Sequence, residues 1–290
     1  MVLRLNACAR ALAILLAAAA APRSAAACPG EGACQVDGGS YILDLPQSAA
    51  TGGETGQGVP ALMYLHGWGA SAAGVMTGRA AMREILQSRG YALIAPQGMP
   101  RAGRTQNDWS VEDRIEHPRD DLAFFDAVLE DAARRGVDRD RVLLAGFSRG
   151  GSMVWDVACK APGLVRGYAP IAGAFWEPLP REGCAGPVVL FHTHGWADTV
   201  VPLEGRPIGK VMMQGDVFAA LKIMRETLGC AGRQPDQRES AADTQRWTRS
   251  WQRCAAGRID LMLHPGSHVV PGDWTELALD WFEDRLAEGS

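Results

Sequence analysis

Short apolar runs alternate with longer stretches of helical periodicity along most of this chain. Runs near residues 41–45, 61–66, 91–96, 142–147, 168–172, 187–193 and 259–264 have the length and composition of strands buried on both faces. Apolar positions three and four residues apart predict helices near 72–88, 120–135, 149–161, 216–228 and 274–287. Strand-helix alternation of this kind implies a mostly parallel, doubly wound α/β sheet with helices on both faces and ligands at the carboxyl ends of its strands. The pattern breaks near 47–58, 98–118 and 231–245, which read as loops. The second is long for a strand-to-helix connection and reads as a lid or binding loop.

The first 27 residues follow another pattern. Arg4 and Arg10 precede an apolar stretch from Ala11 to Ala21, and Ser24-Ala-Ala-Ala27 offers small residues for cleavage, as in a secretory signal peptide. Residues 28–290 are then expected to form a single domain. The apolar stretch is too short to span a bilayer and nothing later in the chain reaches eighteen such residues, so the expectation is an exported soluble protein, secreted or periplasmic and monomeric. Cleavage removes three arginines, Arg4, Arg10 and Arg23, and no acid, taking the formal charge from −4 to −7. That acidity argues against nucleic acid or an anionic membrane as partner. Cys8 leaves with the leader, and the remaining six cysteines suit an oxidising compartment, with fifteen pairings open. A competing reading makes Cys28 a lipid-modified N-terminus attached to a membrane, although Ala25 stands where a lipobox usually has leucine.

Candidate chemistry gathers where strands end. Val142–Phe147 runs straight into Gly146-Phe-Ser148-Arg-Gly150 and then a helical sequence, the context of a nucleophile elbow; the bland reading is a Gly-rich turn. An acid and a histidine should follow in that order. Asp198 lies just past the strand 187–193, whereas Asp156 falls inside a helix and Asp216 before one. His268 sits on a loop beyond the strand 259–264, and His264 inside it, so His268 is favoured as the base. Backbone N–H groups of Arg149 and, in the Gly-rich turn after strand 61–66, of Trp68 are placed to form an oxyanion hole. His66, Trp109 and Trp196 are candidate substrate contacts, the tryptophans forming an aromatic wall with Trp68. His192 and His194 with Asp198 make a weak metal reading, as no further nearby ligand is evident. No metal or organic cofactor is implied.

Six ordered motifs resemble one family: Leu65-His-Gly-x-Gly, Asp120-Asp121-Leu-Ala-Phe, Val137-Asp-x-x-Arg-Val, Gly146-Phe-Ser-Arg-Gly-Gly-Ser-Met, His194-Gly-x-Ala-Asp-x-Val-Val-Pro, and His268 followed by x-x-Pro-Gly. They look like the secreted α/β-hydrolase esterases grouped as polyhydroxybutyrate depolymerases and feruloyl or acetylxylan esterases. The resemblance covers nearly all of the chain after residue 28. It implies an α/β-hydrolase fold, a Ser148–Asp198–His268 triad, an ester substrate and an acyl-enzyme. Together with proximity it suggests the disulfides Cys28–Cys34, Cys159–Cys184 and Cys230–Cys254. Trp196, where the family has a small residue, and Val270-Pro271-Gly272 in place of Trp-Pro-Gly are departures near the acyl pocket. The expectation is therefore a serine esterase acting on hydroxybutyrate oligomers or small soluble esters, with a feruloyl or acetylxylan esterase as alternative. A non-catalytic carbohydrate- or polymer-binding protein on a hydrolase scaffold is the reading from another class. No second, surface-binding module follows the last predicted helix, which favours soluble substrates over crystalline polymer.

Overall fold

Neighbouring residues of the central apolar runs bury toward opposite sides of one sheet. The computed structural model describes residues 28, 32–47, 58–111 and 115–288; the predicted leader, residues 1–27, and most of the loop 47–58 lie outside them. In chain order the strands are β1 (Cys34–Val36), β2 (Gly39–Asp44), β3 (Val59–Leu65), β4 (Ala92–Pro96), β5 (Met99–Pro100), β6 (Asn107–Asp108), β7 (Val137–Phe147), β8 (Gly167–Ile171), β9 (Val189–Gly195), β10 (Arg206–Ile208), β11 (Met212–Gln214), β12 (Gln237–Ala241), β13 (Arg246–Trp251) and β14 (Arg258–His264). The helices are α1 (Ala72–Gly78), α2 (Ala80–Ser88), α3 (Asp121–Arg134), α4 (Arg149–Lys160), α5 (Val217–Thr227) and α6 (Trp274–Glu288).

Among the described residues the large sheet runs β1-β2-β4-β3-β7-β8-β9-β14-β13-β12. From β4 to β14 every pairing is parallel, and both edges are antiparallel. Met63 and Leu144 pack toward α3, α4 and α5 with Phe125, Trp155 and Leu221. Their neighbours Leu62 and Leu143 pack the other way, toward α1, α2 and α6 with Val75, Leu86 and Phe282. This two-sided burial follows from the period of two along a strand and explains why these runs are continuously apolar. The predicted doubly wound architecture is therefore the observed one.

Three expectations need correction. The helix 72–88 is broken at Arg79, whose φ of −121° and ψ of 43° separate α1 from α2 just after Gly78. Within the stretch 98–118, residues 98–111 are pinned rather than lid-like, because β5 and β6 pair there and Asp108 and Trp109 are buried; residues 112–114 lie outside the described ones. The stretch 231–245 contains β12, a Gln-Arg-Glu-Ser-Ala edge strand exposed along its length, which has no apolar alternation to announce it. Its pairing with β13 makes it a strand, and its charges suit a sheet edge. Cys28–Cys34, Cys159–Cys184 and Cys230–Cys254 are bonded, tying residue 28 to β1, α4 to the segment before β9, and the end of α5 to the segment before β14.

Candidate active site

The turn from β7 into α4 forces Ser148 into a backbone conformation that L-residues rarely adopt. Its φ is 58° and its ψ −118°, and the residue is held there by its N–H donating to Ile171 O (2.9 Å) and its carbonyl accepting from Ser152 N (2.9 Å). Strain of this kind costs about 1–3 kcal/mol and persists only where neighbours enforce it. Two glycines make the crossing possible: a Cβ on Gly150 would stand 2.2 Å from Leu65 O, and one on Gly146 2.6 Å from the Gly150 carbonyl carbon. Either would push α4 off the sheet.

Asp198 follows β9 directly and is buried. Its Oδ1 accepts from the Val200 and Val201 amides, both at 2.8 Å, and its Oδ2 accepts from His268 Nδ1 at 2.7 Å. Burial alone would raise the carboxyl pKa, but the bonds from His268, Val200 and Val201 outweigh it and hold the group below the usual carboxylate range. The His268 ring lies 4.7 Å from that of Phe147, one residue before the serine. Among the described contacts no hydrogen bond joins the Ser148 hydroxyl to His268, a contact that often tightens only with substrate bound. His264 stands apart, with its Nδ1 accepting from Gly266 N (3.1 Å).

Behind Asp198 the two other strand histidines are engaged with protein groups. His194 Nε2 donates to Val201 O at 2.7 Å, and His192 Nε2 donates to His194 Nδ1 at 3.0 Å. Burial, reinforced by His194, pushes His192 well below the ordinary histidine range, so this ring is neutral at pH 7. Nitrogens aimed at each other do not converge on an ion, and no cluster of three or more potential metal ligands occurs among the described residues.

The turn after β3 passes beside the serine: a Cβ on Gly67 would lie 3.6 Å from Ser148 Cβ. Gly69 N donates to Asn107 O (2.8 Å) and Ala70 N to Gly67 O (3.1 Å), which fix the backbone on either side of the Trp68 N–H. Neither Trp68 N nor Arg149 N, the first residue of α4, is paired with an acceptor among the described residues. Ser148, His66, Trp68 and Phe147 line a cavity of about 910 Å³, with Tyr64 and Trp176 among its other walls.

The predicted aromatic wall is only partly there. Trp68 stands at the cavity, 60% exposed. Trp109 is fully buried: its Nε1 donates to His66 O at 2.8 Å and its ring packs on His66 and Phe125, so it supports the turn from beneath and is not part of the cavity lining. Trp196 packs against Trp247, ring centroids 5.1 Å apart, and is not part of the cavity lining. His66 reaches the cavity but both ring nitrogens are engaged, Nδ1 donating to Gly67 O (2.8 Å) and Nε2 accepting from Gly98 N (3.0 Å). Sequence reasoning missed Trp176, whose ring lies 4.7 Å from the Arg149 guanidinium, and the buried Arg149–Asp108 ion pair (2.6 Å). No sequence signal announced the latter, because Asp108 stands in the polar run Arg104-Thr-Gln-Asn-Asp-Trp-Ser110.

A sequence profile of the phospholipase/carboxylesterase family matches residues 54–212. NocK of Nocardia uniformis subsp. tsuyamanensis, named as an esterase, is 27% identical over 238 residues, 74% of this chain and 67% of that protein. Feruloyl esterase D of Neurospora crassa is 30% identical over 118 residues, 39% of this chain and 35% of the relative. Most of that second relative therefore lies outside the match. Among solved structures, the acetyl xylan esterase from Aspergillus awamori superposes with a TM-score of 0.60 at 13% identity, covering 84% of this chain and 93% of that one. At that identity the likeness is one of fold, and the fold is that of the α/β-hydrolases.

Proposed function

The chain belongs to the phospholipase/carboxylesterase family, and on that premise we propose that it is an exported serine esterase that hydrolyses carboxylic esters through an acyl-enzyme. The observation that carries this reading is the strained Ser148 at the head of α4, sharing one end of the sheet with a buried Asp198 already bonded to His268. In the proposed reaction the Ser148 hydroxyl attacks the ester carbonyl while His268 Nε2 takes its proton. The Trp68 and Arg149 N–H groups receive the oxyanion. The tetrahedral intermediate collapses with loss of the alcohol, which takes the proton from His268. Water, deprotonated by the same imidazole, then releases the acid and restores the serine. Asp198 keeps the His268 proton on Nδ1, leaving Nε2 unprotonated for the serine.

Three disulfides support an oxidising compartment and so the exported reading of the leader, and one catalytic domain spanning residues 28–290 is the proposed organisation. Soluble hydroxyalkanoate oligomers and feruloyl or acetyl sugar esters are the proposed substrates; the open cavity suits small or oligomeric esters, and the names of the relatives point to the latter group. The test is labelling by a fluorophosphonate probe alongside turnover of aryl, feruloyl, acetyl-sugar and hydroxybutyrate esters. Rapid labelling lost in Ser148→Ala, with kcat down by about 10³-fold or more, is expected. Turnover that survives in folded Ser148→Ala would overturn the assignment, and a wild-type protein that neither reacts nor turns over would be a binding protein on this scaffold.

A further inference from the structure

The cavity that holds Ser148 is cationic although the chain as a whole is acidic, with a formal charge of −4. Arg79, Arg101, Arg104, Arg149 and Arg206 line it against a single carboxylate among the described residues, Asp108. That carboxylate is engaged by two of them, Arg101 at 2.6 Å and Arg149 at 2.6 Å. The other three have no carboxylate partner among the described residues. Arg79 lies over the faces of Tyr64 and Phe147, 5.7 and 5.6 Å from their centroids. Arg206 donates from Nε to Val200 O (2.9 Å) and Gln214 Oε1 (3.3 Å), neutral acceptors that aim the guanidinium without cancelling its charge. Arg104 sits exposed on the turn between β5 and β6.

Like charges gathered on the walls of a cleft raise its potential and concentrate anions there. A guanidinium also presents paired donors that match a carboxylate, a fit that a neutral ester leaves to water. A site for wholly neutral esters has no use for this excess of cations, and their mutual repulsion disfavours keeping them together unless an anion joins them. Resting on the esterase reading above, we propose that the preferred substrate carries a carboxylate in addition to the ester it loses, and that Arg104 and Arg206 hold that carboxylate while Ser148 attacks. Acidic oligomers, such as hydroxy-acid chains with a free terminal acid or esters of uronic-acid-bearing sugars, have this chemistry.

The experiment compares kcat/KM within matched pairs differing only in a carboxylate against a carboxamide, each corrected for its uncatalysed hydrolysis. One pair bears the group on the acyl chain, the mono-4-nitrophenyl ester of adipic acid and the 4-nitrophenyl ester of adipamic acid; the other on the leaving group, 4-acetoxybenzoate and 4-acetoxybenzamide. The ratio within a pair does not depend on how much of a preparation is folded, so it remains readable in damaged variants. At ionic strength of roughly 20 mM the wild type should favour the carboxylate by about tenfold or more in at least one pair, and the preference should shrink several-fold at about 0.5 M salt. The Arg104→Gln/Arg206→Gln double variant should bring the ratio near unity, with each single variant in between. A wild-type ratio of one or less in both pairs, or a ratio the double variant leaves unchanged, would overturn the proposal. Ser148-dependent turnover of the neutral esters would then still support the esterase reading. If no ester is turned over and Ser148 is not labelled, both fall together.

Discussion

Asp198→Asn separates orientation of His268 from support of the loop after β9 with the least change of shape. The carboxylate accepts two amide bonds on Oδ1, from Val200 and Val201, and one imidazole bond on Oδ2, from His268. An asparagine keeps its carbonyl oxygen toward the two amides, because donors need an acceptor there, so the loop is retained. Its NH2 then meets His268 Nδ1 donor to donor. The ring keeps a hydrogen bond only by carrying its proton on Nε2 and presenting a bare Nδ1, and in that tautomer it cannot accept the Ser148 proton. The expected loss in kcat is about 10⁴-fold, the size a wrong tautomer produces in Ser-His-Asp enzymes. The stability cost is much smaller, about 1.5–3 kcal/mol for one charge-assisted bond in a buried place. The assay is kcat on a 4-nitrophenyl ester at pH 7.5, normalised to folded protein by urea unfolding of the same preparation. A folded variant that keeps kcat within tenfold of wild type would refute the orientation role.

Trp109→Phe removes the indole donor from His66 O in a fully buried place and should lower stability by about 1–3 kcal/mol, with kcat falling as the Trp68 turn loosens; an unchanged urea midpoint would refute the bracing role. The double change Cys159→Ala/Cys184→Ala opens a loop of sequence separation 25 and should cost about 3 kcal/mol by chemical denaturation, against which a loss under about 0.5 kcal/mol would count. Burial would raise the Asp131 carboxyl pKa, but bonds from Tyr41 (2.7 Å) and Arg135 (2.7 Å) hold it below its ordinary 3.8. A depressed carboxyl adds stability that is present above the unfolded value and lost as pH falls through the folded one, so Asp131→Asn should flatten the acid limb of stability below about pH 4; a limb parallel to wild type would refute this.

What was legible in the sequence was whatever leaves a local signature. Continuous apolar runs announce two-sided burial, and the Gly-x-Ser-x-Gly crossing is visible because Gly150 and Gly146 have no room for a side chain against Leu65 O and each other. Asp198 was placed by its position just past β9, and the structure brings it to His268, seventy residues on, and not to the nearer-looking His264. The unannounced parts were decided by partners distant in sequence. β12 is a strand because β13 offers it a ladder, whatever its own polar composition. Trp109 gave no sign of which side of the turn it would take, because the same residue type serves a ligand wall or a buried brace, and the difference lies in its reach to His66 O.

That brace also explains why the segment 98–111, the first part of a long connection, is fixed. Arg149, whose N–H is one proposed oxyanion donor, anchors its guanidinium on Asp108 and on Trp109 O (3.2 Å). Trp109 in turn donates to His66 O, two residues before Trp68, the other proposed donor, while Asn107 O holds the Gly69 amide just beyond it. The two donors come from elements far apart in sequence, α4 and the turn after β3, and the segment Asn107–Trp109 bonds to both. Preorganised donors stabilise an oxyanion because they need no rearrangement when charge develops, and that condition requires their spacing to be fixed beforehand. A long connection that leaves β4, pairs briefly with itself and threads this buried segment between the two donor elements sets that spacing, which a short loop from β4 to α3 has no residues to do.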